Sequence, residues 1–172
     1  MIFIKLVRLS AAFLFLILIG SVVSAQKVDT TISQQQMVGV WQINTARVGD
    51  ALLKNFRFFN DGKFVLNFDS YDDAKRVLSL SGHYRLEKNK LFMTVESRRE
   101  IVGGDFAKGS PGFQRDEFVL EGGKEEVITQ KGASSGLDPF LIAICGTKGG
   151  EINCIKIDNN KYYKLSGDPH MK

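Results

Sequence analysis

Along residues 55–69 (NFRFFNDGKFVLNFD), apolar and polar side chains alternate on either side of one turn signal. Asn60-Asp61-Gly62 suits a three-residue hairpin loop with Gly62 in the left-handed position. That loop sets Phe58 opposite Phe64 and Phe56 opposite Leu66. Phe56, Phe58, Phe64, Leu66 and Phe68 then share one face, while Arg57, Lys63, Asn67 and Asp69 take the other. A two-residue turn on Asp61-Gly62 would place Arg57 against Leu66 and mix the faces. A sheet with so aromatic a face must roll against something apolar.

Residues 77–95 repeat the pattern as a second hairpin. Leu78, Leu80, Gly82, Tyr84 and Leu86 share a face; Ser79, Ser81, His83, Arg85 and Glu87 share the other. A turn on Lys88-Asn89 sets Leu86 opposite Leu91, so Leu91, Met93 and Val95 continue the inner face. His83 is expected outside. Gly82 in mid-strand predicts a bend or bulge, as a curling sheet needs. Upstream, residues 37–48 read as the first strand, with Gly39, Trp41, Ile43 and Thr45 on one side and Gln42 and Asn44 on the other. Before it, Ser33 and Gln36 match a capping box for one helical turn.

The second half is less regular. Residues 97–112 (SRREIVGGDFAKGSPG) read as one long irregular loop. Residues 116–120 and 126–130 read as short strands joined through Gly122-Gly123. Residues 139–145 (PFLIAIC) are apolar throughout and are expected to be buried on both faces. Residues 154–157 and 162–165 form a last hairpin around Asp158-Asn159-Asn160. Hairpin after hairpin, with no long helical period, predicts an all-β fold: an up-and-down antiparallel β-barrel of 8–10 strands over residues 33–166, with a short N-terminal helical turn and a loose polar tail at 167–172.

The N-terminus changes the expected compartment. Lys5 and Arg8 precede a short apolar run, AAFLFLILIG, and Ser21-Val22-Val23-Ser24-Ala25 ends in small residues. Residues 1–25 read as a secretory signal peptide cut after Ala25, and residues 26–32 as a flexible leader. An uncleaved anchor is the alternative, although the run is shorter than the ~20 residues a spanning helix needs. No cysteine follows for lipid attachment, so the mature protein is expected to be periplasmic or secreted, touching the membrane only through the signal segment. The net charge of +4 includes Lys5 and Arg8, so the mature domain keeps half of it. Nothing in that balance calls for nucleic acid. Cys145 and Cys154, the two cysteines of the chain, flank a glycine-rich turn between apolar strands. In an oxidising compartment a cross-hairpin disulfide fits; two packed thiols are the alternative.

Val38-Gly39-Val40-Trp41 resembles the G-x-W signature at the start of lipocalins. The stretches Phe56 to Phe64 and Ser81 to Leu86, followed by Asn89-Lys90-Leu91, are similar to the F-x-x-D-G-x-F and G-x-Y-x-L…N-K-L rhythm of bacterial lipocalin-like domains, small exported proteins of Bacteroides-type bacteria. The resemblance covers residues 33–95 and implies a calycin-type barrel. It further implies a basic residue of the last strand packed across Trp41, for which Lys161 and Lys164 are the candidates.

Candidate chemistry is sparse. Ser110 lacks the flanks of a nucleophile elbow, His83 has no evident partner, and His170 lies in the tail. Asp69, Asp72 and Asp73 lack the spacing of a calcium loop. No enzyme activity, metal or cofactor is expected. The leading expectation is a binding protein whose interior, lined by Trp41, Phe56, Phe58, Phe64, Leu66, Phe68, Leu80, Tyr84 and Met93, takes a small apolar or amphipathic ligand. Tyr84 is the candidate partner for the ligand's polar end. The alternative is a filled barrel that binds an envelope protein through its loops, above all residues 101–112. The interior volume separates the two: several hundred cubic ångströms favours a ligand, and a solid core with an exposed aromatic loop favours a partner.

Overall fold

The computed structural model describes residues 31–47, 53–69, 74–108, 118–130 and 138–171. Residues 1–25, expected to be a signal peptide, residues 26–30 of the expected leader, Asp72, Asp73, Ser110 and residues 131–137 lie outside them. Helix α1 (Gln34–Met37) precedes strands β1 (Gly39–Ile43), β2 (Asn55–Phe58), β3 (Lys63–Asn67), β4 (Val77–Glu87), β5 (Lys90–Val102), β6 (Asp105–Lys108), β7 (Phe118–Glu121), β8 (Lys124–Thr129), β9 (Phe140–Lys148), β10 (Glu151–Ile157) and β11 (Asn160–Ser166). Eight of them close an antiparallel barrel in the order β1-β2-β3-β4-β5-β9-β10-β11, with β11 returning to β1.

The turn chemistry sets the register. Phe58 lies opposite Phe64 and Phe56 opposite Leu66, and Gly62 takes a left-handed φ of 81°. Phe56, Phe58, Phe64 and Leu66 are buried in one core cluster, with Phe68 partly buried against it. In the second hairpin Leu86 faces Leu91, and the ladder shifts register between Ser81 and Gly82. A Cβ on Gly82 would stand 1.9 Å from the Thr94 carbonyl oxygen, so only glycine lets β5 approach at that bulge. The capping box closes as expected, Ser33 accepting from the Gln36 amide and Gln36 from that of Ser33.

Several expectations are corrected. The first strand stops at Ile43, because Asn44 turns to a φ of 66° and the chain folds back. Gln42 is therefore fully buried, its amide donating to the carbonyls of Thr45 and Arg47. Strand β9 alternates: Ile142 is buried while Leu141 is 57% exposed, a pattern that an all-apolar run conceals. Residues 167–171 are tied down, since Arg57 donates to the carbonyls of Pro169 at 3.2 Å and Met171 at 2.7 Å and His170 packs edge-on against Phe59.

The largest correction concerns residues 97–108 of the expected 97–112 loop; residues 109–112 lie outside the described residues. Strand β5 runs on to Val102, and β8 pairs with it from Ser97↔Thr129 to Val102↔Lys124. The same register resumes in β6–β7, from Asp105↔Glu121 to Lys108↔Phe118. These four segments form one two-stranded ribbon, interrupted where Gly103-Gly104 meets Gly122-Gly123, and β7 does not pair with β8. Arg76 braces the interruption: its guanidinium donates to the carbonyls of Gly103 at 2.6 Å and Gly104 at 3.3 Å.

Candidate ligand cavity

The two ends of the barrel differ. At the end nearest α1, Trp41 is fully buried and its indole N–H donates to the Met37 carbonyl at 2.7 Å. Lys164, from the last strand, stands 5.3 Å over its ring, filling the place for which Lys161 and Lys164 were the candidates. Phe58 and Tyr84 pack edge to face at 4.8 Å, and the Tyr84 hydroxyl donates to the Phe59 carbonyl at 3.1 Å. Met37 and Leu91 are likewise fully buried. Every polar atom named here has a partner, so this end is a packed core.

The opposite end holds a cavity of about 140 Å³. Its apolar wall comes from Phe56, Phe64, Leu66, Leu80, Met93, Val95, Phe140, Ile157 and Tyr162, and its polar rim from Lys54, Asp158 and Asn160. Register explains its position. The β5–β9 ladder, which completes the barrel, consists of two residue pairs, Lys90↔Leu141 and Leu91↔Phe140. Beyond Leu91, β5 turns away to carry the ribbon, so Met93 and Val95 border the space. The Asp158 carboxylate accepts from the Leu141 amide at 2.9 Å, pinning the β10–β11 turn at the rim.

Of the nine residues expected to line the interior, five reach the cavity: Phe56, Phe64, Leu66, Leu80 and Met93. Trp41, Phe58 and Tyr84 belong to the packed end, and the Tyr84 hydroxyl is already bonded to protein. Phe68 lies beneath Lys54, whose ammonium stands 5.8 Å from its ring centroid. Residues the sequence did not single out complete the wall, notably Tyr162, Ile157 and Phe140. Tyr162 is 2% exposed and packs edge-on against Phe56. Burial first, and the Asp158 carboxylate second, push its phenol up to about 12.

Elsewhere, Cys145 and Cys154 are bridged, with Cα atoms 5.0 Å apart, across the β9–β10 hairpin where the ladder shifts register. His83 is on the outer surface, and its Nδ1 lies 2.8 Å from the Glu96 carboxylate. That carboxylate is a partner the sequence did not reveal; both side chains are about half exposed and neither lines the cavity. Among the described residues no helix is long and apolar enough to cross a membrane. No family model, no curated protein and no solved structure matches the chain.

Proposed function

We propose that the protein is an exported, non-catalytic, lipocalin-like binding barrel for a small apolar or amphipathic molecule. The observation that carries the reading is the cavity, apolar within and polar at one rim, as a site for a guest with one polar end would be. At about 140 Å³ the cavity is smaller than the several hundred cubic ångströms expected of a ligand-holding interior, and this restricts the guest. A dry cavity of about 150 Å³ accommodates benzene, so a ring-sized molecule fits and a long acyl chain does not. The leader-like N-terminus and the disulfide support export, since disulfides persist in oxidising compartments.

The test is thermal. Benzene-sized compounds should raise the melting temperature progressively, with the logarithm of their concentration once it exceeds Kd, while long-chain fatty acids leave it unchanged. No shift with any ring-sized compound would rule out the cavity as a binding site.

A second reading rests on a different observation. The ribbon exposes Phe106 at 54% and Phe118 at 52%, near one another in the β6–β7 pairing. Exposed aromatic faces of this kind suit a protein partner in the envelope. Photo-crosslinking from position 107 in intact cells should then yield one discrete adduct that Phe106→Ser removes; a smear or no adduct contradicts it.

A further inference from the structure

The cavity's polar feature is a tyrosine. Tyr162 lines the wall and is 2% exposed. Among the described residues its hydroxyl has no hydrogen-bond partner, unlike that of Tyr84, which is bonded to Phe59. A buried phenol normally finds an acceptor. The hydroxyl is not among the fully enclosed unpartnered polar atoms of the described residues, which are Gln42 Oε1, Arg57 Nε, Lys75 Nζ and Asn153 Oδ1, so it keeps accessible surface and a bound acceptor can reach it.

The rim limits what that acceptor can be. Lys54 and Asp158 border it with opposite charges and Asn160 is neutral, so the mouth has no net sign with which to draw an ion. A carboxylate carried inside would lose its hydration against Phe and Ile side chains and lie near Asp158, which is costly. A neutral carbonyl or ether oxygen loses less and accepts the same proton. The walls contributed by Phe56, Phe64, Phe140 and Tyr162 suit a flat ring.

We infer that the cavity is specific for a neutral, ring-sized molecule bearing one hydrogen-bond acceptor, and that the Tyr162 hydroxyl donates to that acceptor. The inference rests on the cavity being a binding site, and the test separates the two. Acetophenone and α-methylstyrene have nearly the same shape, with a carbonyl oxygen replaced by a methylene group. Calorimetric titration of the full chain should show acetophenone binding about 3- to 10-fold more tightly, the worth of one hydrogen bond. In Tyr162→Phe the two affinities should become equal. Equal affinities in the wild type would overturn the role of Tyr162 while leaving the cavity as a binding site, and no binding of either compound would overturn both. Benzoate binding more tightly than acetophenone would overturn the neutral-ligand assignment. A second measurement does not need the variant to fold: the Tyr162 ring ¹³Cζ resonance should move with acetophenone and not with α-methylstyrene. Equal movement with both would contradict the hydrogen bond.

Discussion

Tyr84 and Tyr162 sit at opposite ends of one barrel, and the contrast between them describes the molecule. Both are almost completely buried, and burial is the first cause that raises each phenol to about 12. Tyr84 packs edge to face against Phe58 at the filled end and donates to the Phe59 carbonyl. Tyr162 faces a space, and among the described residues nothing accepts from it. The same inward alternation builds both ends. What differs is closure: near α1 the helix and Trp41 fill the interior, whereas at the other end the β5–β9 seam ends after two pairs and the wall stays incomplete.

The contrast can be broken first at the packed end. Trp41→Ala should destabilise the fold by about 3–5 kcal/mol in urea unfolding, because it removes the largest side chain of the plug and the bond to Met37. A loss below about 1 kcal/mol would mean that this end is not a core. Next in size, opening the disulfide with paired Cys145→Ser and Cys154→Ser changes should cost about 2–3 kcal/mol, and acetophenone affinity should remain within about twofold if the closed and open ends act independently. Smaller again, Tyr84→Phe should cost about 1 kcal/mol, since the bond from the Tyr84 hydroxyl is lost and the Phe59 carbonyl keeps only the Gly62 amide as donor. Tyr162→Phe should cost nothing measurable in the empty protein. Equal losses from the two tyrosine variants would erase the distinction between the ends.

At neutral pH the raised phenols give stability no pH dependence, because both states are protonated. A phenol whose folded pKa of about 12 exceeds its unfolded value of about 10 favours the fold only while neutral. Its contribution is full below pH 10 and is lost as the pH rises from there through 12. Ultraviolet titration should therefore show these two tyrosines ionising together with unfolding near the upper end of that range. Ionisation of all tyrosines near pH 10 in a folded protein would contradict their burial.

The packed end was the legible one. Asn60-Asp61-Gly62 admits one register, and that register alone sorts the phenylalanines inward. Gly39 and Trp41 announce the plug. Gly39 has a φ of 130°, and a Cβ there would stand 2.2 Å from the Ser166 carbonyl oxygen, so the motif marks the close approach of β11. The cavity was harder to read because its wall joins Phe140, Ile157 and Tyr162 to Phe56 and Phe64 across pairings distant in sequence. Nothing local separates Tyr162 from its neighbour Tyr163. The ribbon was hidden for another reason. In residues 97–102 charge falls on both faces, so no apolar alternation marks a strand. Its stability comes from the ladder with β8 and from pairs such as Arg99 with Glu125 at 3.3 Å, both invisible along the chain.

The most direct measurement is a methyl NMR spectrum of the protein titrated with acetophenone. Shifts should concentrate on the methyl groups of Leu66, Leu80, Val95, Met93 and Ile157, which border the cavity, and leave those of Leu91, Ile152 and Ile155 in place. Shifts spread evenly over both sets, or confined to the second, would contradict a barrel that is solid at one end and receptive at the other.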